Sequence, residues 1–312
     1  MQNALENSHA VQEFEQYCLD CGLEERNQNR DIFKSESLDA KKIGKGSFGT
    51  VYVDHFEEDK VIKLFTTSTD INSMLREAAM CRFKFEDSNH VIKTFSCMKM
   101  IHNHKIAYGI LLERCEEDLI QFMQRKKHLD SKILASCIGQ LLIGVEFLHT
   151  NGIRHNDIKL ENVLIKDSSK TKPLLKICDF GLAHSNSWEY KGRLFGSLQP
   201  INPHDDKKMP YQYFGSDAYL PSREDATGRL VFLRDEWALG CVIFAITYGR
   251  MLYLKYEEAK DVIFQVGREK KYKFFADLLG VAPRGSESII QCLIREEPLT
   301  ISVVCQRFVV QQ

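Results

Sequence analysis

The sequence has few prolines, almost no net charge and no apolar run long enough to cross a membrane. Only 7 of its 312 residues are proline and 18 are glycine, which excludes a collagen-like chain, and an apolar content of 44% excludes a wholly disordered one. Lysine and arginine number 42 against 43 aspartate and glutamate, so the net charge of −1 gives no overall field that attracts nucleic acid or anionic lipid. Any phosphate group that the protein binds must be held by local features.

The apolar stretches and the N-terminus indicate whether the chain enters a membrane or is secreted. The longest apolar stretch, residues 238–246, is far shorter than the ~20 residues of a membrane-spanning helix. The acidic N-terminus has no basic segment before an apolar core, so it does not indicate a secretory signal. These features predict a soluble intracellular chain, cytoplasmic or nuclear, with no membrane insertion and no nucleic-acid partner.

Ten cysteines are too few to form a disulfide framework in a chain of this length. Cys137, Cys178 and Cys241 stand in apolar runs, which favours buried free thiols in a reducing compartment. Cys18 and Cys21 form a single C-x-x-C pair. Because no second pair and no histidine at zinc spacing accompany it, this pair does not indicate a metal site.

The pattern of residue types divides the chain into segments. Residues 1–36 are polar with apolar residues at helical spacing, which predicts a helical extension. Short β-like runs follow, and they predict strands at residues 40–43, 50–56, 61–65, 91–97 and 106–112. One helix, predicted at residues 70–83, interrupts them, and helical periodicity dominates after Asp118. The sequence therefore predicts an α+β chain with a β-rich lobe at 37–112, a hinge at 113–118 and a helical lobe at 119–312.

A glycine-rich segment lies between the first two predicted strands. It has the spacing G-x-G-x-x-G and consists of Gly44, Lys45, Gly46, Ser47, Phe48 and Gly49. Glycine permits tight turns and a close approach of backbone N–H groups to phosphate oxygens. A dinucleotide-binding fold has the same letters, but there the segment opens a helix, whereas β-branched and aromatic residues follow here. The context favours a phosphate-binding loop between two strands.

Lys63 stands inside an apolar strand run, 14 residues after Gly49. A lysine charge is costly to bury without a partner, so an acidic residue on the following helix is expected to pair with it. Glu77 fits that position. For these two residues alone, a snorkelling lysine and a solvated glutamate are the more common explanation. Motifs further along the chain favour the pair.

The most specific segment runs from residue 155 to 164, reads His-Asn-Asp-Ile-Lys-Leu-Glu-Asn-Val-Leu, and is followed by Asp-Phe-Gly at residues 179–181. In order and separation, these motifs and the earlier ones resemble the eukaryotic protein kinase family over residues 38–305. The resemblance implies a bilobal fold with a β-rich N-lobe and a helical C-lobe. It also implies an ATP-dependent serine/threonine protein kinase that uses ATP and Mg²⁺ and acts on protein substrates.

The resemblance assigns roles to the polar residues of these motifs. Asp157 would orient or accept the proton of the attacking hydroxyl, and Lys159 would steady the γ-phosphate. The position of Lys159 is the one found in serine/threonine rather than tyrosine kinases. Asn162 and Asp179 would supply the oxygen ligands that Mg²⁺ prefers.

The same resemblance implies the nucleotide contacts. Lys63, fixed by Glu77, would hold the α- and β-phosphates under the glycine-rich segment. Leu112, just before the hinge, would be the gatekeeper, backbone groups of Glu113 and Cys115 would bind adenine, and Asp118 would reach the ribose. For any single one of these residues, a plain strand-to-helix connection is an alternative explanation. The apolar walls of the nucleotide site would be Ile43, Val51, Val61 and Leu164.

The chain departs from the family pattern at several positions. Asn156 stands where an arginine normally pairs with a phosphate on the activation segment, and a neutral amide cannot do so with comparable strength. Activity without activation-segment phosphorylation is therefore expected. Arg223 stands at the usual glutamate of A-P-E, which predicts an ion pair of exchanged sign with Glu296 or Glu297. Residues 179–219, with three prolines, form either an ordered insertion or a variable surface loop.

Three functions fit the motifs to different degrees. An active serine/threonine kinase agrees with the presence of the strand lysine, its glutamate, the catalytic aspartate and both metal ligands. A pseudokinase scaffold is suggested by Asn156, Val61 and the altered A-P-E. A small-molecule kinase is a third alternative, although such enzymes tend to lack an Asp-Phe-Gly motif followed by a peptide-binding segment. A regulatory partner is not identifiable from the sequence.

Overall fold

The structure is a computed structural model, and the residues that it describes are 16–18, 42–46, 49–54, 57–65, 71–82, 88–102, 105–126, 129–168, 172–185, 189–190, 193–194, 216–220, 233–252, 286–294 and 298–308. They fall into two compact units. The described residues of the first unit lie within 16–82, 92–114 and 179–194, and those of the second within 88–91, 115–178 and 216–308. Strands dominate the first unit and helices the second, which confirms the predicted α+β class.

The first unit is built on a five-stranded antiparallel sheet with the order β1-β2-β3-β5-β4. Its strands are β1 (Lys42–Gly46), β2 (Gly49–Val53), β3 (Lys60–Phe65), β4 (Thr94–His102) and β5 (Lys105–Glu113). Helix α1 (Ile71–Ala79) and a 3₁₀ turn (Met80–Arg82) follow β3. Further short strands in this unit are β10 (His184–Ser185), β11 (Glu189–Tyr190) and β12 (Arg193–Leu194).

The strand β3 lies at the centre of this sheet. Ile62 and Leu64 form a core with Leu111 of β5, and Tyr52 packs against it. The neighbouring backbones approach β3 closely, because a Cβ atom at Gly49 would lie 2.4 Å from the carbonyl oxygen of Leu64. Glycine at position 49 is therefore required by strand packing.

The predicted strand and helix bounds shift where backbone pairing extends or ends them. Strand β1 continues through Gly44 to Gly46, because it pairs with β2 up to Gly49. Strand β4 begins at Thr94, three residues later than predicted. Val91, the predicted first residue, instead forms an isolated parallel bridge with Ile177 inside the second unit. The helical turn predicted up to residue 83 tightens to 3₁₀ geometry after Ala79.

The second unit consists mainly of helices. They are α2 (Leu119–Lys126), α3 (Ser131–Thr150), α4 (Arg234–Tyr248), α5 (Ser286–Leu293) and α6 (Ile301–Phe308). A small antiparallel sheet of order β6-β8-β9 accompanies them. The short strands are β6 (Glu117–Asp118), β7 (Ile153–Arg154), β8 (Val163–Ile165) and β9 (Leu175–Ile177), with 3₁₀ turns at Leu160–Asn162 and Asp217–Tyr219.

Helix α3 carries the apolar face that the periodicity predicts. Asp130 caps its N-terminus by accepting hydrogen bonds from the backbone N–H groups of Lys132 and Ile133. Among the described residues, α3 is the one helix whose length and composition would allow a membrane span, and 44% of its most apolar window is buried. Core helices of globular units meet the same criteria, and the buried face of α3 is formed by Leu134, Cys137, Ile138, Leu141, Leu142, Gly144, Val145 and Leu148.

Helix α4 is buried on all sides from Arg234 to Ile246, which includes the apolar run at residues 238–246 and also the charged residues 234–236. It packs against α5 so closely that a Cβ atom at Gly240 would lie 2.6 Å from Cγ1 of Ile294. Gly249 ends the helix with a φ of 68°, the left-handed conformation that glycine adopts readily. The central helix of this unit is thus fixed along its length.

Cys18, Cys137, Cys178 and Cys241 are free thiols. Cys137 and Cys241 are buried, as predicted, whereas Cys178 is only half-buried. Cys21 lies outside the described residues, so the predicted absence of metal binding at the C-x-x-C pair stays a prediction. Most of the predicted extension at residues 1–36 also lies outside them.

Candidate active site

Lys63 lies on β3 with its ammonium group held between two carboxylates of the first unit. Its Nζ atom lies 2.6 Å from Oε1 of Glu77 on α1 and 2.8 Å from Oδ1 of Asp179. The alternation along β3 directs Ile62 and Leu64 to the core and Lys63 to the opposite face. Lys63 is 8% exposed and Glu77 is 3% exposed. The snorkelling explanation therefore does not hold for this lysine.

Burial and the neighbouring charges shift the pKa values of Lys63 and Glu77. Burial disfavours the charged form of Lys63, but the negative charges and hydrogen bonds of Glu77 and Asp179 outweigh it and raise the pKa of Lys63 above its ordinary value. Burial also raises the pKa of Glu77 to about 7, against the opposing effect of Lys63. Lys63 therefore remains a cation at neutral pH.

The Asp179–Gly181 segment is held beside α1 in an unusual backbone conformation. Asp179 has a φ of 69°, and among the described non-glycine residues only Asn156, with a φ of 62°, shares a positive value. Such conformations carry strain and cluster at functional sites. Nη1 of Arg76, the residue before Glu77, donates a hydrogen bond of 2.6 Å to the carbonyl oxygen of Gly181. This contact helps to place Asp179 against Lys63.

Asp157 lies in the second unit and is held by two donors. Its Oδ2 atom accepts hydrogen bonds from Nζ of Lys159 at 2.6 Å and from Nδ2 of Asn162 at 3.0 Å. Nδ2 of Asn162 also donates to the backbone carbonyl of Asp157, at 2.8 Å. Nζ of Lys159 donates to Oγ of Ser216 at 3.2 Å. A carboxylate, an ammonium group and a serine hydroxyl thus meet in one cluster.

The backbone that carries Asp157 is anchored to α4. Asp235 accepts hydrogen bonds from the backbone N–H of His155 at 2.7 Å and from that of Asn156 at 2.8 Å. Nε2 of His155 lies 2.9 Å from the carbonyl oxygen of Cys178, the residue before Asp179 in the sequence. The segment that carries Asp157 is therefore tied to the N-terminal end of α4.

The donor atoms of Asn162 and Asp179 suit a hard cation. The amide nitrogen of Asn162 is engaged by Asp157, so its amide oxygen is the atom that can bind a metal ion, and Asp179 offers carboxylate oxygens. Across the described ranges, no three His, Cys, Asp or Glu side chains are placed to hold a metal ion. Each of these oxygens is of the type that Mg²⁺ binds, since the ion usually takes one or two protein oxygens together with phosphate and water.

These two clusters contain the residues that the motifs single out, and comparison with known sequences agrees. The protein kinase domain matches residues 38–300. The chain belongs to the protein kinase family. The family resemblance inferred from the motifs is thereby confirmed.

Three curated relatives show the range of this kinase's similarity. It is 26% identical to cyclin-dependent kinase 8 of Drosophila melanogaster over 254 residues, which cover 76% of the chain and 51% of the relative. It is 25% identical to serine/threonine-protein kinase dkf-1 of Caenorhabditis elegans over 237 residues, covering 72% and 30%. It is 26% identical to probable serine/threonine-protein kinase CCRP1 of Zea mays over 265 residues, covering 83% and 38%. The chain thus spans between about a third and a half of each relative.

The other predicted nucleotide-binding residues of the first unit lie on its sheet. Val51 pairs with Lys63 across β2 and β3, and Val61, 6% exposed, pairs with Leu112 on β5. Ile43 is 50% exposed on β1, where Gly44, Lys45 and Gly46 follow it. Glu113 is buried, and its Oε1 accepts a hydrogen bond from the backbone of Lys93, so this side chain supports the backbone at the end of β5. Ser47 and Phe48 lie outside the described residues.

Three predicted nucleotide-binding residues belong to the second unit. Asp118 pairs with Leu164 across β6 and β8, and Cys115 stands just before β6. Oδ1 of Asp118 accepts a hydrogen bond from the backbone N–H of Gln121, which engages this carboxylate at the start of α2. The ribose contact assigned to Asp118 stays a prediction. The ion pair expected between Arg223 and Glu296 or Glu297, and the prolines of the activation segment, lie outside the described residues.

Sequence reasoning missed a charged network behind Asp157. Nε2 of His149 lies 2.9 Å from Oδ2 of Asp235, and Nη1 of Arg154 lies 3.0 Å from Oε1 of Glu236. The available signal was Glu236 itself, a charge beside the apolar run of α4. A carboxylate in a fully buried helix requires a cationic partner.

A second missed residue is Tyr219, which is 6% exposed. Its hydroxyl oxygen accepts a hydrogen bond from the backbone N–H of Leu160 at 3.3 Å. Burial and the nearby charge of Glu161 raise its pKa above the ordinary value, so it stays neutral. Tyr219, three residues after Ser216 in the sequence, thus supports the turn that carries Asn162.

Proposed function

We propose that this chain is an active protein serine/threonine kinase, which transfers the γ-phosphoryl group of MgATP to Ser or Thr hydroxyls of protein substrates. The observation that carries the proposal is the Asp157 carboxylate, held between Nζ of Lys159 and Nδ2 of Asn162. This arrangement fixes one carboxylate oxygen and places a cation beside it. Such a group can accept or orient the proton of an attacking hydroxyl.

Several contacts support a hydroxyl acceptor. Nζ of Lys159 reaches both Asp157 and Oγ of Ser216, so a serine hydroxyl already lies against the same ammonium group. In phosphoryl transfer that ammonium group neutralises charge on the transferred phosphoryl. The relatives dkf-1 and CCRP1 are named serine/threonine-protein kinases, which agrees with a Ser/Thr acceptor.

The first unit supplies the charge for nucleotide binding in this proposal. Lys63, kept protonated by Glu77 and Asp179, binds the α- and β-phosphates. Glu77 holds the ammonium group in place because it is buried and cannot exchange Lys63 for water. Asn162 and Asp179 would hold Mg²⁺ through their oxygens, and the ion would neutralise part of the phosphate charge.

A phosphorylation assay with a matched control tests this function. Wild type, Asp157→Ala and Asp59→Asn are incubated with labelled ATP, Mg²⁺ and a generic basic protein. Asp157→Ala is expected to lose at least ~10²-fold in kcat while still binding a fluorescent nucleotide, because general-base groups contribute that much. Asp59 lies exposed in the turn before β3, so its variant should keep wild-type activity. Equal incorporation by wild type and Asp157→Ala would instead favour a pseudokinase scaffold.

Activity independent of activation-segment phosphorylation is part of the proposal. Asn156 carries no charge for a phosphate, and its backbone is already held by Asp235 in a strained conformation. Phosphatase-treated enzyme is therefore expected to keep its full rate, and so are alanine variants of Ser185, Ser187 and Ser197. A variant that is inactive as alanine but restored as glutamate would contradict this part alone.

A further inference from the structure

Two cysteine side chains from separate parts of the first unit meet beside α1. Sγ of Cys81, in the 3₁₀ turn after α1, lies 3.7 Å from Sγ of Cys97 on β4. Cys18, a member of the C-x-x-C pair, is near enough to contribute to the raised pKa of the Cys97 thiol. Cys97 is 4% exposed, whereas Cys18 and Cys81 are half-buried. Cys97 is thus the more buried residue of the contacting pair, and Cys81 the more exposed one.

The surroundings of Cys97 lower the reactivity of its thiol. Hydrogen bonding with Cys18 and Cys81, together with burial, raises the pKa of the Cys97 thiol well above its ordinary value. A thiol with a raised pKa forms little thiolate and attacks slowly. Within the contacting pair, the more exposed Cys81 is therefore assigned the first attack and the buried Cys97 the second.

A disulfide fits this cluster better than a metal ion. No group of three His, Cys, Asp or Glu side chains in the described part of the chain is placed to hold a metal. Two sulfurs at 3.7 Å need to approach by roughly 1.7 Å to reach the bonding distance of about 2.05 Å. Rotation of one side chain can supply much of that movement, because both cysteines already face each other.

We propose that Cys81 and Cys97 form a reversible disulfide by exchange with a small-molecule disulfide such as oxidised glutathione. The Cys81 thiolate attacks one sulfur of the small disulfide, so that a mixed disulfide forms and one small thiolate leaves. Cys97 then loses its proton and attacks Sγ of Cys81, which releases the second small thiolate. The two cysteines are oxidised, and one small disulfide is reduced to two thiols.

The position of Cys81 links this bond to the Lys63 cluster. Cys81 follows Glu77 by four residues, which is about one helical turn. A bond to Cys97 ties the C-terminal end of α1 to β4, which is a neighbour of β5 in the sheet. Because the cysteines meet with the Lys63–Glu77 ion pair already formed, the bond holds Glu77 in its paired position. The oxidised chain is expected to be more resistant to heat.

Mass spectrometry of the full chain tests the proposal without any activity measurement. The reduced protein is equilibrated in glutathione buffers of rising oxidising strength, its free thiols are blocked, and peptides are mapped without reduction. We expect a cross-linked peptide pair containing Cys81 and Cys97, reversed by excess reduced glutathione. A rise of a few degrees in the thermal midpoint should accompany it, since a cross-link restricts the unfolded chain.

Variants identify the two sulfurs. Cys81→Ser and Cys97→Ser should each abolish the cross-link and the thermal shift, and Cys18→Ser should keep both. Cys137→Ser is the matched control, because Cys137 is buried in the second unit and burial raises its pKa to about 12. The proposal is overturned if Cys81 and Cys97 stay free in fully oxidised glutathione, if Cys97 pairs with Cys18 instead, or if the purified chain carries zinc that blocks oxidation.

Discussion

The guanidinium group of Arg154 lies 3.0 Å from Oε1 of Glu236, whose side chain is completely buried in α4. Arg154 directly precedes His155, and Glu236 directly follows Asp235. The pair therefore connects α4 to the segment that carries Asp157, in addition to the hydrogen bonds that Asp235 accepts from the backbone of that segment. In the part of the chain that is described, Oε2 of Glu236 has no hydrogen-bond partner, which makes this carboxylate depend on Arg154 and His149.

Removal of either partner should have unequal consequences for stability. Arg154→Met leaves a buried carboxylate without its cation, and we expect a loss of about 3 kcal/mol in the free energy of unfolding. Glu236→Leu removes the buried charge and exposes nothing, because Arg154 is 37% exposed and can be solvated. We expect a smaller loss for it, and the double variant should recover most of the loss of Arg154→Met. Urea unfolding measures all three, and additive losses in the double variant would contradict the pairing.

Lys63 and Lys60 provide a matched pair on one strand. Lys63→Met removes the cation between Glu77 and Asp179, so we expect kcat/KM to fall by ~10²–10³-fold, as for other lost charge-stabilising donors. Lys60 lies at the edge of β3, where it pairs with Glu57 and stacks 4.5 Å from the ring centre of Phe95. Lys60→Met should leave kcat/KM unchanged and cost at most about 1 kcal/mol. Comparable losses of activity in the two variants would argue against a specific role for Lys63.

Asp235 should make the second unit sensitive to acid. Burial disfavours its charged form, but hydrogen bonds from His149 and the backbone of His155, with the nearby positive charge, hold the pKa of Asp235 well below its ordinary value. The carboxylate therefore contributes stability above about pH 4, and this contribution is lost as the pH falls through the folded-state pKa. The free energy of unfolding of the wild type should decline steadily below pH 4. Asp235→Asn should lower the free energy of unfolding at pH 7 by about 3 kcal/mol or more. Below pH 4, the free energy of unfolding of this variant should change less with pH than that of the wild type.

Two glycines of α3 should respond to alanine in opposite directions. A Cβ atom at Gly144 would lie 2.9 Å from Cδ1 of Ile177 and 3.1 Å from the backbone oxygen of His90. Gly144→Ala is therefore expected to destabilise by about 1–3 kcal/mol, the usual cost of overpacking. At Gly139 nothing lies within 4 Å of an added Cβ, so Gly139→Ala should stabilise by roughly 0.5–1 kcal/mol through helix propensity. Thermal unfolding of both variants is the measurement, and shifts of the same sign would refute this packing.

Local patterns predicted most of the fold. The apolar face of α3 and the buried run of α4 followed from side-chain periodicity, because these helices bury the faces that their sequences make apolar. Strand ends were less predictable, since β1 and β4 extend as far as their partners pair with them. The glycine at position 49 had been assigned to phosphate approach, whereas its Cβ position is blocked by the backbone of β3.

The motif spacing by itself determined that Asp157, Lys159 and Asn162 form one polar cluster, because they lie within one short segment whose contacts are local. Only the tertiary structure decided that Lys63 serves two carboxylates, one of them 116 residues away, and that Arg154 meets Glu236 across 82 residues. Such pairs depend on how strands and helices pack, and no local spacing encodes them. The contact of Cys81 with Cys97 has the same origin, since it joins the turn after α1 to β4.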